Sequence, residues 1–224
     1  MNILKPNTRA FTVLELMVVV AVIVVLAGLV LPALFGRRHG NGHGRIQCLN
    51  NLKQVGLALR TWEQDNGNYP MRFRTNNFDG PSFGNGKQMY LYFHALSNEL
   101  TNPKLLFCPV DGKRRPAANF DGDFNSSRIS YFLALDATPD SETNLLAGDR
   151  NISVKGASAR NGVLEITTNQ VSSSNNLTVG WTKELHNECG NVLFADSHVE
   201  QLTSVKLRDA LRTSGLATNR LVLP

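Results

Sequence analysis

The chain has 224 residues, of which 42% are hydrophobic and 18% are charged. This composition excludes a disordered or collagen-like chain and allows one domain of ordinary size with an appendage. The formal net charge of +5 is concentrated near the N-terminus, because residues 37–60 carry five basic side chains and no acidic one. Residues 61–224 are close to neutral, so the basic character does not indicate nucleic-acid binding and no nucleic-acid partner is expected.

The first predicted element is an apolar helix. Residues 16–31 are apolar without interruption, and within residues 11–35 the exceptions are Thr12, Glu15 and Pro32. A helix of residues 11–35 would be about 37 Å long, enough to cross a hydrocarbon core of about 30 Å. We therefore expect one membrane-spanning helix. Basic residues flank it on both sides, so charge alone leaves its orientation open.

A cleaved secretory signal is the alternative interpretation of this segment. The apolar stretch is longer than the apolar core of a typical signal, and Glu15 lies inside it. A carboxylate at membrane depth costs roughly 2.5–3.5 kcal/mol and marks a functional position. These two features favour a helix that is retained in the mature protein.

Residues 9–16 carry a resemblance to a known class of proteins. They read Arg-Ala-Phe-Thr-Val-Leu-Glu-Leu, and with the apolar run behind them they resemble the N-terminus of type IV pilins and type II secretion pseudopilins. The resemblance implies that a prepilin peptidase cleaves between Ala10 and Phe11 and that Phe11 is then N-methylated. Ala10 stands where that class usually has Gly. The leader, residues 1–10, would be cytoplasmic and the C-terminal part of the chain would lie outside.

The same resemblance implies an assembly role for Glu15 and Pro32. Cleavage creates a charged amine on Phe11, and Glu15 becomes the fifth residue of the mature chain. A carboxylate and an amine at membrane depth relieve each other's desolvation when they pair, within one subunit or between neighbours. A Glu15 side chain that reaches the lipid headgroups is the alternative.

The junction after the apolar helix is rich in glycine, with four glycines in residues 36–44. Glycine disfavours helix, so the sequence leaves open whether one long helix continues here or two helices form. Residues 45–63 recover the helical period, and we expect their apolar stripe to pack on a sheet. The stripe consists of Ile46, Leu49, Leu52, Val55, Leu59 and Trp62.

The remainder, residues 67–224, is expected to form one globular α+β head, in which an antiparallel sheet packs on the long N-terminal helix in a pilin-like fold. Residues beyond 66, up to about 127, are predicted to be loop-rich. A hairpin closed by a two-residue turn, Asp196 and Ser197, and a last helix at residues 205–212 with a Thr203 or Ser204 cap are also predicted. Strands are predicted at residues 129–135, 144–147, 162–168, 191–195 and 198–202.

Several segments of the head resemble a large group of bacterial pilin-like proteins. The group has Gly at the position of Ser197, so a turn that needs a positive φ there would be strained. A hydrolase triad of His186, Asp196 and Ser197 is disfavoured against turn and packing roles, because no nucleophile elbow accompanies it. The matching segments are residues 47–56, 108–111 and 146–150, and the C-terminal signature of His186 followed after nine residues by Asp196 and Ser197.

Three cysteines lie in a region expected outside the cytoplasm, where disulfides persist. Their number predicts one disulfide and one free thiol. Cys48 and Cys108 both lie in segments that resemble the pilin-like group, which favours their pairing. A bond between Cys108 and Cys189 is the alternative, and three free thiols would mean no disulfide.

An acidic segment offers a candidate calcium site. Asp121, Asp123 and Asn125 alternate in the manner of a calcium-binding loop, and some secretion pseudopilins bind calcium. The loop pattern then fails, because Ser126 stands where Gly is required and Phe132 where Glu is required. A solvated turn is the favoured interpretation, and no other cofactor is expected.

The sequence thus predicts a structural subunit and not an enzyme. Its parts are a leader at residues 1–10, a transmembrane assembly helix at 11–35, a junction with the amphipathic second half of the helix at 36–66, and the head at 67–224. The favoured hypothesis is a major pseudopilin of type II secretion, held in the bacterial inner membrane with a periplasmic head and polymerised through its N-terminal helix.

The expected partners follow from this hypothesis. They are further copies of the chain, the prepilin peptidase, the secretion or pilus assembly platform, minor pseudopilins and the inner membrane. Two alternatives remain: a type IV pilus subunit for adhesion or motility, and a membrane-anchored binding module of the envelope that never polymerises.

Overall fold

The computed structural model describes residues 12–35, 41–72, 88–172 and 179–224. The chain falls into two compact units, Met1–Gly40 and Asn41–Pro224. The helices are α1 (Val13–Phe35), α2 (Asn41–Asn66), α3 (Tyr90–Ala95), α4 (Ser97–Leu100), α5 (Thr168–Ser172) and α6 (Ser204–Thr213). The strands are β1 (Tyr131–Ala134), β2 (Leu145–Asp149), β3 (Ile152–Val154), β4 (Ala157–Ser158), β5 (Gly162–Thr167), β6 (Val179–Trp181), β7 (Cys189–Phe194), β8 (Val199–Thr203) and β9 (Thr218–Leu223).

The first unit contains α1, which continues through Pro32 to Phe35. Its large apolar side chains between Val13 and Leu26 are exposed, from 46% at Val19 to 77% at Val13. Across the described ranges, no helix combines the length and the apolar character that a membrane crossing needs. Ala10 and Phe11, at the predicted cleavage point, lie outside the described residues, as do residues 36–40, where the continuity of the helix was left open.

The second unit is built on a six-stranded sheet with the order β5-β9-β1-β2-β7-β8, in which all neighbours are antiparallel. A smaller antiparallel sheet has the order β4-β3-β6. Every residue of β1 and β2 is buried, as expected for central strands with a layer on each face. This α+β architecture is compatible with a pilin-like fold.

Helix α2 packs on the large sheet, as the apolar stripe predicts. Leu52, Val55 and Leu59 are fully buried. Gly56 allows the close approach, because a Cβ there would lie 2.8 Å from the Cδ1 atom of Leu193 in β7. Ile46, which was assigned to the same stripe, is 62% exposed.

The predicted strands correspond to β1, β2, β5, β7 and β8, and the predicted last helix corresponds to α6. The Thr203 side chain caps α6 by accepting a hydrogen bond from the Lys206 amide at 3.4 Å. The segment beyond residue 66 that was predicted to be loop-rich also contains two short helices, α3 and α4. Strand β9 was not predicted, although it pairs with both β1 and β5 inside the large sheet.

The hairpin between β7 and β8 has a longer connection than predicted. The Ser197 amide donates to the Phe194 carbonyl at 2.9 Å, and the Phe194 amide donates to the His198 carbonyl at 3.0 Å. Ser197 has a φ of 73°. A turn followed by one left-handed residue is the common three-residue hairpin loop, and glycine suits that last position.

Candidate functional site

The start of α1 forms a reciprocal capping box. The hydroxyl of Thr12 accepts a hydrogen bond from the Glu15 amide at 3.2 Å, and the Glu15 carboxylate accepts from the Thr12 amide at 3.0 Å. The Thr12 hydroxyl also donates to the same carboxylate at 3.1 Å. A Thr followed three residues later by Glu is the sequence signature of this cap. Glu15 therefore has a local role in starting the helix, and its carboxylate is held at the backbone amide of Thr12, the residue that follows Phe11 in the sequence.

The head contains a second candidate site, a group of four buried side chains that we call the buried cluster. It consists of Cys48, Cys108, Asp149 and His186. Cys48 lies on α2, Asp149 ends β2, and the other two lie in loops of the head. Cys48, Cys108 and Asp149 are fully buried, and His186 is 2% exposed. Residues separated by more than a hundred positions in the sequence thus meet in the core.

The ligand atoms of the buried cluster all lie within 4.8 Å of one another. The Cys48 thiol donates to Asp149 Oδ1 at 3.1 Å. His186 Nε2 lies 3.3 Å from Asp149 Oδ2 and 3.4 Å from the sulfur of Cys108. Each of the four side chains therefore directs a potential metal-binding atom toward the same point.

A glycine next to Asp149 allows β2 and β7 to approach closely. A Cβ on Gly148 would lie 2.7 Å from the ring of Phe132 and 2.9 Å from the carbonyl oxygen of Asn191. With glycine in place, the Asn191 amide donates to Asp149 Oδ2 at 2.5 Å, and its side-chain nitrogen donates to the same oxygen at 3.0 Å. These two hydrogen bonds fix the orientation of the buried carboxylate.

Two further residues support the other side of the buried cluster. The hydroxyl of Tyr131 lies 3.3 Å from the sulfur of Cys48 and donates to the Cys48 carbonyl at 3.4 Å. Arg45 donates to the carbonyl oxygen of His186 at 3.0 Å. Tyr131 thus contacts a ligand atom and Arg45 contacts the backbone of a ligand residue, and contacts of this kind orient side chains that hold a metal.

Burial controls the protonation of the buried cluster. It raises the pKa of Asp149 to about 7, although hydrogen bonds from Asn191 and Cys48 oppose the shift. Burial also raises the pKa of the Cys48 thiol well above its ordinary value. The pKa of His186 falls to about 4, first because of burial and then because of the charge of Arg45. At pH 7 the imidazole is thus neutral and its contact with Asp149 is not an ion pair.

An ion network lies beside the buried cluster. Arg150 makes two hydrogen bonds of 2.7 Å to the carboxylate of Asp111. Glu184 accepts from Lys113 at 2.5 Å, from Arg160 at 2.6 Å and from Arg150 at 3.0 Å. Burial alone would raise the pKa of Asp111, but the hydrogen bonds and charge of Arg150 hold it below its ordinary value of 3.8. The charges of this network are therefore paired with one another.

The structure divides the predicted C-terminal signature between two places. His186 belongs to the buried cluster, whereas Asp196 and Ser197 lie in the exposed turn between β7 and β8. The Asp196 carboxylate accepts from the His198 amide at 3.0 Å and contacts its ring nitrogen at 2.5 Å. A triad of His186, Asp196 and Ser197 gains no support from this arrangement.

The two cysteines predicted to form a disulfide are neighbours in the buried cluster. The structure holds Cys48, Cys108 and Cys189 as free thiols. The sulfur atoms of Cys48 and Cys108 lie within 4.8 Å of each other, and Cys189 is partly exposed. The disulfide between Cys48 and Cys108 stays a prediction, because two adjacent cysteine side chains are compatible both with free thiols and with a disulfide bond.

The candidate calcium ligands contact protein donors. Asp123 accepts from the Ala118 amide at 3.1 Å and pairs with Arg128 at 3.1 Å. Asn125 caps a 3-10 turn by accepting from the Ser127 amide at 2.9 Å. Asp121 is exposed. These contacts are those of a solvated turn, and calcium binding here stays an untested prediction.

The sequence did not identify Asp149 as a member of the buried cluster, nor Asn191 as the residue that donates hydrogen bonds to it. The signal was present in the segments at residues 108–111 and 146–150, which resemble the same pilin-like group. The first segment supplies Cys108 to the buried cluster and Asp111 to the ion network. The second supplies Asp149 to the buried cluster and Arg150 to the ion network. Their shared resemblance was a clue that they meet in space.

Comparison with known proteins gives one match. Residues 5–31 match the family model of the prokaryotic N-terminal methylation motif. No curated protein and no solved structure matches the chain. The match supports a type IV pilin-like, prepilin-processed protein. It covers the predicted cleavage point, the capping box and most of α1, and it does not reach the head.

Proposed function

We propose that the chain is a structural subunit of a type II secretion pseudopilus, stored in the inner membrane and polymerised through its N-terminal helix. The observation that carries the proposal is the match of residues 5–31 to the N-terminal methylation motif. The resemblance of scattered head segments to a group of bacterial pilin-like proteins supports it.

The surface of α1 supports assembly as the function of this segment. Its exposed side chains between Val13 and Leu26 are large and apolar. Such a surface is costly in water, because exposed apolar area of this extent favours association with lipid or with another protein. A stored subunit would bury it in lipid, and a filament would bury it against the same helix of neighbouring subunits.

The capping box supports a role for Glu15 in this assembly. Thr12 and Glu15 hold each other at the first turn of α1, next to the position of Phe11. Cleavage before Phe11 would create an amine there, and a negative charge at a helix N-terminus is also favoured by the helix dipole. The carboxylate is thus prepared to neutralise the new amine of its own chain or of an incoming subunit.

Processing is tested by intact-mass analysis of the membrane-bound protein. The chain is expressed in one host with a prepilin peptidase and in a matched host without it. We expect a mature chain that begins at Phe11 and carries one added methyl group in the first host, and the full-length precursor in the second. A mature chain that begins near residue 34 in both hosts would contradict the proposal and indicate an ordinary secretory signal.

Filament type is tested by deleting the gene in its native host. For a pseudopilus subunit we expect loss of secreted enzymes from the medium, restored by the wild-type gene, and filaments in sheared surface material when the subunit is overproduced with a secretion system. Normal secretion with loss of surface filaments would instead indicate a type IV pilus subunit. Mature membrane-bound protein that never forms filaments would indicate an anchored binding module.

A further inference from the structure

We propose that Cys48, Cys108, Asp149 and His186 bind a single zinc ion that stabilises the head. The four side chains come from four separate segments, and their ligand atoms lie within 4.8 Å of one another. Zinc binding by the head does not depend on filament formation, so this proposal and the proposed function fail separately.

The spacing of the ligand atoms fits a tetrahedral zinc site. Zinc binds sulfur at about 2.3 Å and nitrogen or oxygen at about 2.0–2.2 Å, which places neighbouring ligand atoms about 3.3–3.8 Å apart. The Cys48 sulfur lies 3.1 Å from Asp149 Oδ1, His186 Nε2 lies 3.3 Å from Asp149 Oδ2, and the Cys108 sulfur lies 3.4 Å from His186 Nε2. The remaining pairs of ligand atoms lie within 4.8 Å of each other. Small movements of side chains would bring all four atoms to the required distances.

The charge of the buried cluster favours a cation. Asp149 is fully buried, and its partners are Cys48, His186 and Asn191. None of these partners is a lysine or an arginine, and the side chain of the adjacent Arg150 is directed to Asp111 instead. An ionised carboxylate in such a place is strongly unfavourable unless it is paired or binds a metal. A divalent ion would compensate this cost and would also stabilise the two thiolates.

The kind of ligand selects the metal. Thiolates prefer zinc and other soft or borderline ions, whereas calcium and magnesium require oxygen ligands. The set has four protein ligands and no open position, which is the composition of a structural zinc site rather than a catalytic one. Since the ligands are buried, the ion would be bound as the head folds.

The neighbouring residues have the contacts that a metal site requires around its ligands. Asn191 donates twice to Asp149, and the Tyr131 hydroxyl lies 3.3 Å from the Cys48 sulfur. Such contacts orient the ligands and typically change metal affinity about 10–100-fold when they are removed.

A disulfide between Cys48 and Cys108 would exclude zinc, because it uses the same two sulfur atoms. Its formation would remove two ligands and leave Asp149 buried with His186 and Asn191 as its remaining partners. The zinc site uses all four side chains, and for this reason we favour it over the disulfide. A protein with the zinc site and a protein with the disulfide differ in metal content and in the number of thiols, so measuring both quantities distinguishes the two alternatives.

The first test measures metal and thiols in the full-length chain, purified in detergent and dialysed against zinc. We expect one zinc per chain, and three thiols once the protein is denatured with a chelator. One thiol and no zinc would indicate the disulfide and would overturn the proposal. Three thiols without bound zinc would overturn it as well.

Cobalt(II) provides a second measurement on the wild-type protein. In the zinc-free chain, cobalt should give the strong visible bands of a tetrahedral site and a thiolate-to-cobalt charge-transfer band in the near ultraviolet, and zinc should remove both. A spectrum typical of octahedral cobalt with no charge-transfer band would exclude the assigned ligands.

Matched variants identify the ligands. Cys108→Ser should lower zinc affinity by more than about 100-fold and Tyr131→Phe by about tenfold. Cys189→Ser is the control, because Cys189 lies outside the buried cluster, and it should bind zinc as the wild type does. Equal zinc affinity of Cys108→Ser and Cys189→Ser would overturn the assignment. If Cys108→Ser does not fold, the cobalt spectrum and the thiol count of the wild-type protein test the zinc site instead.

Discussion

The two regions of this protein violate the usual distribution of polar and apolar groups in opposite ways. Helix α1 exposes apolar side chains, with Val13 at 77% and Leu14 at 73%. The head does the reverse and buries ionisable groups, since Cys48, Cys108 and Asp149 are completely inaccessible. Exposed apolar surface and clusters of buried ionisable groups are two features that a stable, isolated protein normally avoids.

The difference indicates that each region depends on a different partner. In the proposed assembly, the surface of α1 would be covered by lipid or by other copies of the helix, which are extended and apolar. The buried cluster is satisfied by a small cation, which fits inside the core and carries charge. A subunit built in this way separates the part that associates from the part that keeps its own fold.

The largest expected effect comes from Glu15 and concerns α1. Glu15→Leu should reduce filament yield at least about 100-fold, because an unpaired amine at membrane depth costs several kcal/mol and each 1.4 kcal/mol changes an association constant tenfold. Insertion and cleavage should persist. The measurement is filament yield relative to membrane-bound mature protein.

Two further variants separate the charge of Glu15 from its capping role. Glu15→Gln keeps a residue that can complete the capping box but removes the charge, so we expect it to fail in assembly like Glu15→Leu. Thr12→Val removes the cap at a cost of about 1 kcal/mol but keeps the charge, and it should still assemble. If Glu15→Gln forms filaments normally and Thr12→Val does not, helix capping and not charge is the role of Glu15.

The second expected effect concerns the head. Arg150→Met should lower the free energy of unfolding by about 3–5 kcal/mol, because it removes both 2.7 Å hydrogen bonds from Arg150 to the buried carboxylate of Asp111 and leaves the more distant Arg114, at 4.0 Å, as its ion-pair partner. Arg212→Met is the matched control, since Arg212 pairs with Asp209 on the surface with both side chains about half exposed. A surface pair contributes about 0–1 kcal/mol. Urea unfolding of the head, followed by Trp fluorescence, measures both variants.

The Arg150→Met variant also tests whether processing of the N-terminal segment is independent of the stability of the head. Arg150→Met should leave the membrane-bound mature chain correctly processed, because cleavage depends on residues near Phe11. Equal stability of Arg150→Met and Arg212→Met would contradict a structural role for the buried ion pair.

The third expected effect concerns the approach of β2 and β7 beside the buried cluster. Gly148→Ala should destabilise the head by about 1–3 kcal/mol, because its Cβ would meet the Asn191 carbonyl oxygen at 2.9 Å and backbone cannot move aside easily. Gly162→Ala in β5 is the control, since no heavy atom lies within 4 Å of the added Cβ. Thermal unfolding should separate the two variants, and equal midpoints would argue against the tight approach.

The sequence predicted the elements whose signal is local. The uninterrupted apolar residues 16–31 predicted α1, and Thr203 before a periodic segment predicted the start of α6. Strand β9 was not predicted, because its first half, Thr218 to Arg220, is polar and its position depends on pairing with β1 and β5, which are distant in the sequence.

The buried cluster was predictable only in part. Cys48, Cys108 and His186 were each noticed, but nothing in their spacing along the chain indicates that they meet. Asp149 stood out only as part of the segment at residues 146–150, because it ends a short apolar strand and reaches Cys48 only through the packing of α2 on the sheet. Contacts between segments this far apart are set by the tertiary fold rather than by local pattern.

The smallest expected effect concerns the turn between β7 and β8, where the head departs from the pilin-like group. Ser197 has a φ of 73°, a conformation that costs a residue with a Cβ roughly 1–2 kcal/mol. Ser197→Gly removes this strain but makes the unfolded chain more flexible, which costs about 0.4–1 kcal/mol. The net result should be a gain of about 0.5–1 kcal/mol in the free energy of unfolding. Asn161→Gly is the control, because Asn161 has a φ of 49° and asparagine tolerates this region, so its gain should be smaller. A loss of stability in Ser197→Gly, measured by urea unfolding, would show that the serine side chain contributes more than the strain removes.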